Sequence, residues 1–145
     1  MFKDIKKKID KCIEYSINGI VNHAVDVLVN ESPVLTGKYV KSHIAEETAR
    51  EYPRDMVAEP PPYPPKTEET GVKNSTKIKL KSTAISIMKQ SGIVAINNKA
   101  GHAVFVEHLG WKISKARFPF GQTKGSTMLN QQRILSKAKH KAFKR

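Results

Sequence analysis

The sequence predicts an α+β fold: a long N-terminal helix and a C-terminal helix packed on an antiparallel sheet, with an extended proline-rich arm between the two halves. Three observations carry this expectation. Apolar residues recur every three or four positions from Lys3 to Asn30, lysines alternate with Ile78 and Leu80 at positions 77–81, and six of the eight prolines fall between Pro53 and Pro65. At 145 residues the chain has the size of a single domain. It divides into 1–50 (helix, Thr-Gly turn and strand), 51–72 (arm) and 73–145 (basic sheet and C-terminal helix).

Ile5, Ile9, Ile13, Ile17, Ile20, Ala24 and Leu28 describe one face of an α-helix about 40 Å long at 1.5 Å per residue. Gly19 weakens its middle by roughly 1 kcal/mol relative to Ala, and Asn30, Ser32 and Pro33 stop it. Beyond Thr36-Gly37, Val40, Ser42 and Ile44 alternate like a strand, whereas Ala45, Glu46, Glu47 and Ala49 favour helix. The reading for Tyr39 to Glu51 is therefore a short strand running out into helix or loop. Glu59-Pro-Pro-Pro-Tyr-Pro-Pro demands polyproline II. A stiff connector, or an arm lying on another subunit, suits that composition better than a ligand for a polyproline-reading domain.

In the second half, Lys77, Lys79 and Lys81 read as the wet, basic face of a strand, with a bulge or turn at Ser82 to Ala84. Gln90-Ser91-Gly92 separates Ala84–Lys89 from Ile93–Ile96, the pattern of an antiparallel hairpin. Asn97, Asn98 and Gly101 close it, and Ala103 to His108 form a short helix or tight turn. Gly110 to Gly125 lacks a period and reads as loop. A helix follows from Thr127, capped by Ser126 or Thr127. Met128, Leu135, Ala138 and Ala142 lie on one side of it, and Arg133, Lys137, Lys141 and Lys144 on the other.

Charge is unevenly spread. Of 26 basic and 13 acidic residues, giving a net charge of +13, residues 1–50 carry eight and seven, residues 51–72 two and five, and residues 73–145 sixteen and one. The sole acid of the last stretch is Glu107. So basic a half implies an anionic neighbour: nucleic acid, an anionic membrane or an acidic protein surface. No apolar run approaches the roughly 20 residues of a bilayer span, and no apolar core of a signal peptide follows Lys6-Lys7-Lys8. A protein made and used in a cytoplasm, without a membrane partner, is expected. Cys12 is the only cysteine, which excludes an internal disulfide and a thiolate zinc cluster.

Catalysis finds little support. The histidines at 23, 43, 102, 108 and 140 lack metal-ligand spacing and read as ordinary surface or interface residues. Glu107 has no second carboxylate in its half to share acid–base work. Gly121-Gln-Thr-Lys-Gly-Ser-Thr lacks the Gly-Lys-Ser/Thr ending of a phosphate loop. The expectation is that this is not an enzyme and carries no cofactor. Glu107 is read as one half of a salt bridge, within the subunit or across to the next. Trp111 is either an interface anchor or a core residue.

Two segments have a familiar form. Ser32-Pro-Val-Leu-Thr-Gly-Lys-Tyr-Val-Lys-Ser, just after the long helix, resembles the (S/T)-P-V-D-T-G-x-L-x-x-S signature of the tail-completion, or neck, proteins of tailed bacteriophages. His102-Ala-Val-Phe-Val-Glu-His-Leu-Gly-Trp is similar to that family's Y-A-x-Y-V-E-x-G-T. Thr36, Gly37, Ser42, Ala103, Val106, Glu107 and Gly110 match by position. Leu35 replaces the usual Asp, one extra residue separates Glu107 from Gly110, and the arm is longer than the family pattern. The resemblance implies a structural virion protein of the head–tail connector: a homo-oligomeric ring, commonly a hexamer, that joins head to tail around the DNA channel. Neighbouring neck and tail proteins would be its partners.

On that reading Thr36, Gly37, Tyr63, Glu107 and Trp111 form the assembly interface, and the arm clasps an adjacent subunit or ring. Lys77, Lys79, Lys81, Arg133, Lys137, Lys141 and Lys144 face channel DNA or an acidic partner. The competing readings are a small basic nucleic-acid-binding protein using the same lysines and, with least support, a small nuclease or toxin.

Overall fold

The structure, a computed structural model, describes residues 1–32, 38–49, 69–100, 103 and 119–144. Helix α1 (Phe2–Glu31) is followed by one turn of helix, α2 (Lys38–Lys41), and strand β1 (His43–Glu46). Helix α3 (Glu69–Ser91), strand β2 (Ala95–Asn98) and helix α4 (Pro119–Phe143) complete the order. The two strands pair antiparallel, His43 opposite Asn98 and Glu46 opposite Ala95. The coarse class, α+β with long helices and a small antiparallel sheet, agrees with the sequence reading.

Helix α1 spans what its periodicity predicts. Val21, Val25 and Val29 of α1 pack on Val72, Leu80 and Ala84 of α3, with Val40 from α2 closing the cluster. Burying each such valine or leucine contributes roughly 1.5–3 kcal/mol relative to leaving it exposed. Ala45 and Ile96 bring the sheet against the same core, with Val94 just before β2. Tyr39, Ala100 and Ala103 form a second, smaller cluster.

The region after the arm is helical where strands are expected. The lysine-rich strand at 77–81 and the first hairpin strand at 84–89 are both replaced by α3, whereas the expected second strand at 93–96 overlaps β2, which pairs with β1 instead, and Glu69–Val72, assigned to the arm, form the first turn of α3. The true period is four: Val72, Thr76, Leu80 and Ala84 are buried in succession. Ile78, whose alternation with lysine suggests a strand, is 72% exposed. The turn at Gln90-Ser91-Gly92 exists but ends a helix. Gly92 has φ 76° and donates its N–H to the Met88 carbonyl at 3.0 Å, the left-handed stop that glycine adopts without a Cβ penalty. Asn97 and Asn98, expected to close the hairpin, lie within β2.

The C-terminal helix also begins earlier than expected. Residues 119–125, read as loop, are its first turns, and Pro119 rather than Ser126 or Thr127 opens it. Proline suits that position because its missing N–H would have no helical partner. Its packing face is Ile134, Ala138 and Ala142, whereas Met128 and Leu135 point outward.

Helix α4 lies mainly along α1 rather than on the sheet. The helices run antiparallel: His23 meets Ser126 at 3.0 Å between Nε2 and Oγ, Gly19 meets Ile134, and Tyr15 meets Lys141. A Cβ at Gly19 would stand 2.6 Å from Cγ2 of Ile134, so glycine here allows the two helices to approach. What reads in sequence as a weak point in α1 is the seat of its longest contact.

Candidate assembly surface

The residues that carry the family resemblance belong to two distant segments, and the fold brings their described parts together. Ser32 ends α1, donating its hydroxyl to the Leu28 carbonyl at 2.6 Å. With that proton committed, its oxygen accepts from Nε2–H of His43 at 2.8 Å. Nδ1 of His43 then accepts from the Asn98 amide at 3.1 Å. The same amide nitrogen donates to the Tyr39 carbonyl at 2.9 Å, and Asn98 Oδ1 accepts the Ala100 N–H at 2.8 Å. The Ser42 carbonyl accepts from Lys99 N–H at 3.0 Å, and Ala103 sits with Tyr39 and Ala100 in the second cluster.

Burial lowers the His43 pKa from 6.5 to about 3. The hydrogen bonds act in the same direction, because protonation at Nδ1 would set an N–H against the Asn98 NH2. The neutral ring is a structural pin, packed edge-on against Tyr39 (5.1 Å) and Phe120 (5.5 Å). His43 is therefore buried, not one of the surface histidines expected from sequence. A lone His beside a strand and an Asn-Asn pair give no local signal for such a knot, since each bond spans distant segments.

Thr36, Gly37, Tyr63, Glu107 and Trp111 lie outside the described residues. The knot and the second cluster hold the described residues on either side of Thr36-Gly37, Ser32 and Tyr39, near Ala103 of the second motif.

The expected basic surface divides in two. On α3, Lys81 reaches Asp26 of α1 at 2.7 Å and Lys77 the same carboxylate at 3.9 Å. Lys89 bonds Glu14 at 3.2 Å, and Lys73 donates to the Asn30 carbonyl at 2.9 Å, where the negative end of the α1 dipole favours a cation. Lys77 and Lys81 thus share one carboxylate of α1 within the subunit. Exposed pairs of this kind each contribute well under about 1 kcal/mol. Charge counted by segment hides them, because the acids lie in one half and the lysines in the other. Lys79, on the far side of α3, points to solvent.

On α4 the cations stay outward. Residues 119–144 hold six basic residues and no acid. Arg133, Lys137 and Lys144 are exposed, and the Lys141 ammonium lies 4.3 Å above the centre of the Tyr15 ring. This helix is the basic surface that remains from the expectation.

An apolar surface completes the picture. Phe2, Ile5, Ile9 and Ile13 fall on one stripe of α1 and are all substantially exposed, Ile9 at 46%. The stripe leads into a groove of about 530 Å³ between α1 and the end of α3, lined by Ile13, Ser16, Ile17 and Ile20 on one side and Met88 and Ile93 on the other. Ile93 is 66% exposed at its rim.

Among the described residues no three His, Cys, Asp or Glu side chains gather as a metal site, and no helix is long and apolar enough to cross a membrane. Compared with known protein families, curated proteins and solved structures, the chain finds no match.

Proposed function

We propose that the protein is a structural component of the head–tail neck of a tailed bacteriophage. In this reading it is a homo-oligomeric ring, commonly hexameric, assembled in the host cytoplasm and retained in the virion, stacked against neck and tail proteins around the DNA channel. The reading requires no catalysis and no cofactor. The observation that supports it is the nearness of the motifs' described residues: Ser32 bonds His43, Asn98 bonds both His43 and the Tyr39 carbonyl, and Tyr39 clusters with Ala103. Two unlike exposed surfaces on one subunit, an apolar stripe on α1 and a cationic helix α4, also suit a ring, whose head-to-tail contacts need two different patches.

A small nucleic-acid-binding protein is the second reading, favoured by the six cations of residues 119–144. Lys77 and Lys81 add little to it, since Asp26 occupies them. Native mass measurement of the full chain, with electron microscopy of the same sample, tests the first reading. The expected result is a closed ring with a central opening, whereas a monomer at every concentration would sink it. Charge reversal at Arg133, Lys137 and Lys141 tests the second: unchanged DNA affinity in a polarisation assay removes it.

A further inference from the structure

We infer that the first three turns of α1 dock, antiparallel, in the groove between α1 and α3 of a second copy, while that copy's first turns fill the groove of the first. Helix α1 outruns the rest of the subunit. The Lys89–Glu14 bridge puts the end of α3 level with Glu14, and the Lys141–Tyr15 contact puts the last turn of α4 level with Tyr15. Ahead of that level, among residues 1–11, Lys8 alone is partly covered and every other residue is exposed. So short a projecting segment is marginal as a helix in water unless something packs on it. Its apolar residues, Phe2, Ile5 and Ile9, have the i, i+3, i+7 spacing of a helix that lies in a groove.

The groove begins where this segment ends. Cys12 and Ile13 of α1 stand on one side of its mouth, Met88 and Ile93 on the other, and Ile17 and Ile20 continue the α1 wall. At 100° per residue, Phe2, Ile9, Ile13 and Ile20 fall within about 40° of one another, so the projecting turns and the wall share one face. A continuous helix cannot fold its start onto a wall further along the same face, and its first turns therefore meet such a groove only in another copy. Antiparallel pairing about the level of Lys11 matches Ile9 with Ile13, Ile5 with Ile17 and Phe2 with Ile20 of the second copy. Lys11 itself lies on the opposite side of α1 from this stripe. The same pairing sets the body of each subunit beside the other's projecting turns, where there is room, whereas parallel pairing sets body against body. Lys6, Lys8 and Asp10 flank the stripe with charges of both signs, which select neither a strictly anionic occupant nor a strictly cationic one. This contact is twofold, unlike the head-to-tail contacts of a ring, and does not rest on the ring reading.

Cys12, the only cysteine, lies next to the twofold level and supplies the probe. Full-length protein should sediment as a concentration-dependent pair, in which Cys12 reacts with a maleimide more slowly than in dilute monomer. Oxidation with copper phenanthroline in air should link two copies through Cys12. Lys79→Cys in a Cys12→Ser background, on the far side of α3, should give no such link. Ile5→Asp on the projecting turns and Ile93→Asp at the groove rim, both at exposed positions, should each weaken pairing roughly tenfold or more with unchanged circular dichroism. A chain that stays monomeric at every concentration overturns the contact. So does associated protein that lacks the Cys12 link or that either substitution leaves unchanged, and both results leave a ring built through other surfaces standing. Equal protection of Cys12 at every concentration would place the chain's own segment over the groove and overturn the contact as well.

Discussion

Helix α1 is continuous, and its two halves follow the same three-and-four spacing, yet their fates differ. From Val21 to Val29 the apolar residues are buried against α3, α2 and the sheet. From Phe2 to Ile13 they stand at the surface, next to the groove rather than inside the core. Amphipathic periodicity states that one face must be covered; it does not state by what. In the second half the cover lies within the subunit, and in the first the apolar residues stay at the surface.

Substitutions can break that comparison. Leu28→Ala, at a fully buried position, should cost about 2–5 kcal/mol of folding stability in urea unfolding, while Ile5→Ala in the exposed half should change it by no more than about 0.5 kcal/mol. Equal losses would mean that the two halves are equally structural.

Next in size is the His43 knot, which ties the end of the buried half to the sheet. Its pKa is lowered to about 3 in the folded state against 6.5 unfolded, so the unfolded chain binds the proton more readily. Stability is complete above pH 6.5. It should fall by up to about 1.4 kcal/mol per pH unit as pH drops from 6.5 towards 3. Urea midpoints at pH 7.5 and pH 4.5 would read this, and His43→Gln should flatten the part due to this ring. A wild-type slope identical to that of the variant would show that the ring is not buried as described.

A smaller effect is expected where α4 crosses the middle of α1. Gly19→Ala improves helix propensity by roughly 1 kcal/mol but drives a methyl into Ile134. The net expectation is a loss of about 1–2 kcal/mol, partly recovered in the double variant with Ile134→Ala. A stabilised single variant would mean that the helices are further apart.

Smallest is Asp26→Asn, which removes the shared carboxylate of Lys77 and Lys81 and should cost less than about 1 kcal/mol. Its clearer readout is binding. Two released cations should shift elution from a heparin column to higher salt, and unchanged elution would show that these lysines already face outward.

Much of this architecture is legible in the sequence. The extent of α1, the turn at Gly92, the cationic side of α4 and the place of a strand near Ile44 all follow from periodicity and local chemistry. The misreadings share one cause. Between Lys77 and Lys81, five residues satisfy a period of two and a period of four equally well, and burial at Val72, Thr76, Leu80 and Ala84 decides between them. At 119–125 glycines and a proline suggest loop, but the segment forms the first turns of α4, with Phe120 packed on His43. Ser32, His43 and Asn98 are unremarkable singly, because their hydrogen bonds form only after three segments meet.

By itself, then, the sequence determined where helices must show an apolar face, how charge divides along the chain, and which stretch is too rich in proline for helix or central strand. Those properties are local, governed by backbone sterics and side-chain period. Tertiary structure alone decided which lysines pair with Asp26 and Glu14, and that the cations of α4 lie at exposed positions. It also decided which half of α1 finds its cover inside the subunit. Pairing of charges and burial of apolar faces depend on what arrives from elsewhere in the chain, and that no local pattern encodes.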